Sequence, residues 1–364
     1  MKLSISTEIM QELISRASKG VGNVKGLPLT SLIAIQLKDN QLSLITTDGT
    51  NYLYIKKDKV EGDEFYIVVE AEKLIKLISK QSCEKLTMTV TGNALEIRGD
   101  GTYRIDIPLD PGTGEAIVYP DPMDGLELDE EARKEINLST IKTVLDSCTA
   151  SLADTLEVPC YTGYYAGEKV VTTNNYILTS MAVNLFAQDV LVAPEYMNLL
   201  DVMTEEKISS WIVDDTIICT SQDCVVYGKV MEGLEDFPYD SISEYTEQEM
   251  ESYCKVTKSK MLATLDRISL FVGTYDDDIV SLTFAKDGIQ IESKQSNGIE
   301  VVPYLESENF TPFTCNINIV ELVAELKSYQ SDSVLLYYGN ENAIKMEDGN
   351  TTFIIALIQE EEGE

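Results

Sequence analysis

The sequence predicts an α+β protein of three tandem domains, each with two helices packed on antiparallel sheets. Three observations predict it. Short runs of alternating apolar and polar residues, the pattern of half-buried strands, are interrupted by segments of helical period. The order strand, helix, strands, helix, strands occurs three times along 364 residues. The composition, 44% hydrophobic and 25% charged, is that of a globular chain.

Residues 2–5 alternate, and Ser6-Thr7 then offers N-cap chemistry. A helix to about Ser18 places Met10, Leu13, Ile14 and Ala17 on one face. After a turn containing Gly20, Gly22 and Gly26 come strand-like runs at 32–37, 42–46, 51–55 and 65–69. A helix over 71–81 and strands at 86–90, 94–98 and 103–107 complete the first copy. The second opens with a strand at 136–138 and a helix carrying Ile141, Val144, Leu145 and Cys148. Strand runs then reach Leu185 and 189–192, Pro194 opens a helix, and strands follow at 208–213, 216–220 and 224–230. The third has a strand at 252–256, a helix over 257–270, a second helix from Ile319 and a last strand at 352–358.

Landmarks set the period. Thr46-Thr47-Asp48 matches Thr172-Thr173-Asn174, and Glu292-Ser293-Lys294 takes that place in the third copy. Positions 47, 173 and 293 stand 126 and 120 residues apart, while the second helices open at Ala71, Pro194 and Ile319, 123 and 125 apart. A period this long suits whole domains rather than a solenoid. The expected domains are 1–122, 128–240 and 250–364, joined by a Pro/Gly-rich linker at 110–123 and a polar, acidic one at 237–250. Residues 360–364 read as an acidic, frayed end.

Composition narrows the chemistry. Histidine is absent, which removes Ser-His-Asp, Cys-His and HExxH schemes together. The seven cysteines, at 83, 148, 160, 219, 224, 254 and 315, form no CxxC pair, so neither a disulfide framework nor a zinc site is expected. Cys219 and Cys224 read as flanking a hairpin turn. Asp214-Asp215 and Asp276-Asp277-Asp278 are the carboxylate groups a hydrolase would use, but both read as solvated turns. Gly20-Val21-Gly22 starts like a nucleotide loop, yet lacks the third glycine and follows a helix. No catalytic residue, metal or cofactor is expected. No stretch approaches the ~20 apolar residues of a membrane span, and the N-terminus has no signal-peptide core. A cytoplasmic protein is expected.

Net charge is −34, from 28 basic and 62 acidic residues, which argues against binding a polyanion unless the cations are gathered. Some are. Lys73, Lys76 and Lys80 recur at helical spacing away from Leu74, Leu77 and Ile78, and Lys260 and Arg267 share a helix face. Lys25 follows the first helix near Arg16 and Lys19, and Lys142 and Lys327 add single charges to two others. The helix opened by Pro194 breaks the pattern with Glu195, Asp201, Glu205 and Glu206. Each stripe alone is better read as an ordinary solvated face.

Together these features resemble the bacterial replicative sliding clamp, the beta subunit of DNA polymerase III, over essentially the whole chain. The resemblance is carried by Leu27-Pro28-Leu29-Thr30, Thr47-Asp48-Gly49, Pro159-Cys160-Tyr161-Thr162-Gly163, Thr173-Asn174-Asn175, Phe237-Pro238 and Cys315-Asn316-Ile317, in that order. It implies a head-to-tail homodimer closing a ring around duplex DNA, with Lys25, Lys73, Lys76, Lys80, Lys142, Lys260 and Arg267 facing the DNA. It implies a self-association surface of Arg104, Ile105 and Ile107 meeting Leu270, Phe271 and Glu300. It also implies a groove for short peptides of the replicative polymerase, clamp loader and repair proteins. That groove comprises Tyr161, Thr173, Asn175, Tyr176, Leu178, Pro238, Ile242, Ile355, Ala356, Leu357 and Ile358. Tyr176-Ile177 stands where the family usually has a His-Arg-like pair, and Ala356-Leu357-Ile358 where it has a Met-Pro-Met-like end, as expected of a divergent or phage-derived member. The alternatives weighed are an acidic DNA mimic or scaffold without ring closure, which needs no basic helix faces, and a carboxylate-dependent hydrolase.

Overall fold

The computed structural model describes residues 1–110, 112–250, 252–273, 278–294 and 297–359. In the first copy β1 (Lys2–Ser6) runs into α1 (Thr7–Ala17). Then follow β2 (Leu32–Lys38), β3 (Gln41–Thr47), β4 (Tyr52–Lys57), β5 (Phe65–Glu70), α2 (Ala71–Ile78), β6 (Lys85–Thr91), β7 (Ala94–Arg98) and β8 (Thr102–Asp106). The second copy is β9 (Lys134–Asn137), α3 (Leu138–Cys148), β10 (Tyr164–Ala166), β11 (Val170–Thr173), β12 (Ile177–Met181), β13 (Val190–Val192), α4 (Pro194–Leu200), β14 (Lys207–Val213), β15 (Thr216–Thr220) and β16 (Cys224–Lys229). A helix expected by neither pattern nor composition, α5 (Tyr239–Glu247), precedes the third copy. That copy is β17 (Ser252–Thr257), α6 (Lys258–Ser269), β18 (Ile279–Ala285), β19 (Gly288–Ser293), β20 (Ile299–Glu308), β21 (Phe313–Asn318), α7 (Ile319–Ser328), β22 (Ser333–Tyr338), β23 (Ala343–Asp348) and β24 (Thr351–Ala356). Each copy therefore has one strand, a helix, four strands, a helix and three strands.

The landmark triads mark equivalent strand ends, at Thr47, Thr173 and Ser293. In the first two copies they build the same turn. The Thr47 hydroxyl donates to the Asn51 carbonyl at 2.6 Å, and Thr173 to that of Ile177 at 2.8 Å. Asp48 Oδ1 accepts the amides of Thr50 and Asn51, and Asn174 Oδ1 those of Tyr176 and Ile177. One residue earlier, Thr46 and Thr172 donate to the carbonyls of Ala17 and Cys148 at the ends of α1 and α3. The repeat holds at the level of single hydrogen bonds.

Helix ends follow local chemistry. Asn318 caps α7, its side-chain oxygen accepting from the Val320 and Glu321 amides. Glu8 in the first turn of α1 and Arg16 in its last complement the helix dipole. The α2 helix stops at Ile78, three residues before the expected end, because Lys80 and Gln81 donate to carbonyls three residues back and tighten the last turn. The buried Gln81 side chain then accepts from the Asp100 amide.

The chain forms two compact units, Met1–Ile141 with Glu195–Val230, and Lys142–Pro194 with Met231–Glu364. The first holds the four-stranded sheet β1-β6-β7-β8 and an eight-stranded sheet ordered β5-β2-β3-β4-β16-β15-β14-β9. A core of Leu32, Ala34, Ile45, Val68, Ile218 and Val225 surrounds Tyr119, whose hydroxyl donates to the Leu32 carbonyl at 2.7 Å. The second unit holds one twelve-stranded sheet ordered β13-β10-β11-β12-β24-β23-β22-β17-β20-β19-β18-β21. Its larger core packs Met261, Leu265 and Ile268 of α6 and Leu322 and Leu326 of α7 against sheet residues including Phe284, which stacks on Tyr338 at 4.0 Å. The compact units thus divide the middle copy, because strand pairing ties part of it to each neighbour: β4 to β16 and β12 to β24. Among the described residues, no helix is long and apolar enough to cross a membrane.

Candidate functional site

A cavity of about 400 Å³ opens in the second unit. Its floor comes from strand ends, Leu178 of β12 and Ile354 and Ala356 of β24, with Ala343 of β23. Tyr161 enters from a short 3-10 turn begun by Pro159. The turn after β11 supplies Thr173, Asn175 and Tyr176. Asn175 adopts φ 81°, a conformation asparagine tolerates better than most residues. The Asn174 cap fixes this turn, and the Tyr176 carbonyl accepts from the Ala356 amide at 2.8 Å, so the Tyr176 ring stands 65% exposed over the opening.

The remaining wall is α5. Pro238 precedes its first turn, and the Ile242 amide donates to the Pro238 carbonyl at 3.0 Å. Pro238, Ser241, Ile242 and Tyr245 face the cavity at helical spacing. The helix is anchored by stacking. Tyr165 lies 5.0 Å from Phe237 and 4.7 Å from Tyr239, ring centre to ring centre, and donates its hydroxyl to Asp189 at 2.9 Å. Aromatic pairs of this kind contribute ~1 kcal/mol each beyond area burial. None of the lining residues is charged. An apolar floor under tyrosine and amide groups suits an extended peptide with one or two apolar anchors.

The cavity gathers Tyr161, Thr173, Asn175, Tyr176, Leu178, Pro238, Ile242 and Ala356 of the expected set. Ile355 instead points into the main core, paired with Ile177 and Ile344. Leu357 packs half-buried against that core, and Ile358 forms a bridge with Asn316. Strand alternation carries the signal for the difference: if Ala356 faces the cavity, Ile354 does and Ile355 does not. Ser241 and Tyr245 follow from the same helical spacing as Pro238 and Ile242, once 239–247 is read as a helix.

The seven basic residues are all exposed, five at helix or turn positions of the first two copies and two on α6, but several are already paired. Lys73 meets Glu70 at 2.9 Å, and Lys76 pairs with Glu72, each pair one helical turn apart. The Glu70 hydrogen bond raises the Lys73 amine above its ordinary range, and Lys76 lowers the Glu72 carboxyl. Lys25, Lys80, Lys142 and Lys260 are exposed on the turn before residue 28, the turn after α2, α3 and α6. Arg267 makes a two-pronged bond to Glu300, at 2.8 and 2.7 Å, joining a residue expected to face DNA to one expected at the self-association surface. On that surface Arg104 is exposed, whereas Ile105 and Ile107 are buried. Leu270 and Phe271, after α6, are 80% and 50% exposed. Asp214 and Asp215 occupy the β14–β15 turn, and Lys229 bonds Asp215 at 2.6 Å. Asp276 and Asp277 lie outside the described residues, as does the 360–364 tail. Among the described residues, no group of three His, Cys, Asp or Glu could hold a metal ion.

Residues 1–111 match the family of the DNA polymerase III beta subunit, N-terminal domain. No curated protein matches the chain by sequence. The structure is similar to the DNA polymerase sliding clamp from Bacillus subtilis, with a TM-score of 0.83 and 17% identity over 99% of this chain and 100% of that one. It is likewise similar to the beta subunit from DNA polymerase of Streptococcus pyogenes, with a TM-score of 0.86 and 15% identity over 99% and 100%. A sliding clamp (DNA polymerase III subunit beta) from Pseudomonas aeruginosa bound to griselimycin matches at 0.82 and 15%, over 99% of each chain.

The fold is that of a bacterial sliding clamp.

In this clamp fold both internal seams follow one rule. The fourth strand after the first helix is not the joining element; it is the strand before it, β4 or β12, that pairs with the final strand of the next copy, β16 or β24. Two strands of the same kinds remain. Among the described residues β8 pairs only with β7, and residues 299–303 of β20 pair only with β19. Ile299, Val301 and Leu305 of β20 are exposed large apolar residues, as are Leu270 and Phe271.

Proposed function

We propose that the chain is a DNA sliding clamp, a processivity factor that encircles duplex DNA and tethers the replicative polymerase and other DNA-processing proteins. The observation that carries this reading is the seam rule. Extending it, β20 of one chain pairs with β8 of a second, and two chains joined head to tail close a ring of six domains. A heterologous contact that closes after two copies avoids an open filament. The domains are 1–122, 128–240 and 250–364. The association surface includes Arg104, Ile105 and Ile107 on one side and Leu270, Phe271 and Glu300 on the other.

Closure explains how a chain of net charge −34 works on a polyanion. A closed ring stays on DNA by topology and needs little affinity, while an acidic exterior repels DNA from the outer wall. Lys25, Lys73, Lys76, Lys80, Lys142, Lys260 and Arg267 face the duplex, supplying weak contacts that carry no sequence information. The cavity beside α5 takes short peptides of the polymerase, loader and repair proteins. The chain performs no chemistry of its own and acts in the cytoplasm.

The test is topological. The protein is loaded by a clamp loader onto nicked circular DNA, and the circle is then linearised. Retention on circles and loss from linear DNA is the expected result. Equal retention on both forms overturns the mechanism.

A further inference from the structure

The groove has a neutral floor and an acidic wall. Its lining residues carry no charge. The segment that builds the wall, residues 231–250, contains seven acidic residues and no lysine or arginine. Asp240 and Glu244 are exposed on α5 beside the lining residues Ser241 and Tyr245. Across the opening, exposed Glu341 precedes the lining residue Asn342. Lys169 and Lys345 reach this segment and both are engaged. Lys169 pairs with Glu247 at 3.4 Å, and Lys345, 10% exposed, pairs with Glu347 at 3.0 Å and donates to the Gln248 carbonyl.

The floor and the wall do different work on an incoming segment. Apolar anchors displace water from Leu178, Ile354 and Ala356, and this gain is indifferent to charge. Residues flanking the anchors meet the field of the acidic wall, which reaches about one Debye length, ~8 Å at physiological salt. In that field a lysine or arginine is attracted, and an aspartate or glutamate is repelled.

We propose that this groove selects segments of partner proteins whose apolar anchors are flanked by lysine or arginine. The selection rests on the reading of the cavity as a peptide groove. The acidic connector acts as its filter: it speeds encounter with basic segments and rejects acidic ones carrying the same anchors.

Fluorescence polarisation with the full-length protein tests it. Three labelled peptides share one Leu/Phe anchor pair and carry Lys-Arg, Ser-Ser or Asp-Glu flanks. At about 50 mM salt the basic peptide is expected to bind about tenfold or more tightly than the acidic one, the gap shrinking at about 500 mM. The double substitution Asp240→Lys with Glu244→Lys is expected to narrow or reverse the order, while Tyr176→Ala weakens all three alike. Binding of the three wild-type complexes within about twofold at low salt, or tightest binding by the acidic peptide, overturns the charge filter and leaves the groove standing. Failure of every peptide to bind overturns the groove reading and the filter with it. The wild-type salt series decides the matter even if the lysine variant does not fold.

Discussion

Glu325 of α7 is fully buried, and the hydroxyl of Thr179 on β12 donates to its carboxyl, 3.3 Å from each oxygen. Behind Thr179 lies a chain of hydroxyls: Ser151 donates to Thr179 at 2.8 Å and sits 2.7 Å from Thr172, which donates to the Cys148 carbonyl. Among the described residues, no cation pairs with Glu325. Burial pushes the Glu325 carboxyl well above the ordinary carboxylate range; the Thr179 bond pulls it down, and the nearby Glu321 carboxylate pushes it up again.

This pairing predicts an unusual pH dependence. The folded-state pKa of Glu325 is raised, so its contribution to stability is fully present below the unfolded carboxylate value and is lost as pH rises toward the folded one. The slope is up to ~1.4 kcal/mol per pH unit across that window. Glu325→Gln keeps the shape without the charge. Melting curves are expected to show the variant equal to wild type near pH 4 and more stable at pH 7–8. Equal melting at both pH values counters the assignment.

Arg16 binds α1 to the β15–β16 turn. Its Nε donates to the Val202 carbonyl at 3.0 Å and its Nη1 to Asp223 at 2.7 Å. Burial raises the Asp223 carboxyl, but Arg16, with the hydroxyls of Ser221 and Thr204, more than offsets it and leaves the group below its usual range. Arg16→Met strands that carboxylate and is expected to cost ~2 kcal/mol, less than a fully buried pair because Asp223 keeps some solvent. The loss, read by urea denaturation at pH 7, is expected to shrink as pH falls through the acid range and Asp223 protonates.

Asn318 caps α7 through two backbone amides. Asn318→Ala is expected to cost about 1 kcal/mol, and Asn318→Asp to recover most of it, since aspartate caps as well. Hydrogen exchange at the first turn of α7 measures the effect locally; unchanged protection in the alanine variant contradicts a stabilising cap.

Leu270 and Phe271 are large apolar side chains left in solvent at the end of α6. Leu270→Lys combined with Phe271→Lys is expected to leave the fold intact and give a monomer at micromolar concentration by sedimentation velocity. A wild-type dimer that survives both substitutions places the association surface elsewhere.

Much of the fold was legible because its markers are local. Thr47 and Thr173 bond carbonyls four residues away, so equivalent turns leave equivalent short strings in the sequence. The openings of α2, α4 and α7 at residues 71, 194 and 319 were legible for the same reason. The α5 helix was hidden by its composition: only Ile242 of its residues is fully buried, and its acidic face reads as a linker. Most of the cavity's lining residues were reachable by resemblance, yet the sidedness of Ile355 depended on strand register, which the apolar run at 353–358 does not reveal.

By itself the sequence determined the threefold order of elements, the absence of histidine chemistry and the acidic balance, since these depend on composition and near-neighbour periodicity. Tertiary structure alone decided which groups meet across long stretches of chain. Arg267 and Glu300 are 33 residues apart, and Thr179 and Glu325 are 146 apart. The sequence pattern at Glu325 is that of a solvated helix position; only the packing of α7 against the turn at 149–151 and β12 removes its water. Likewise, β4 joins β16 and β12 joins β24 because sheet edges pair wherever register and burial allow, and no local motif encodes the partner.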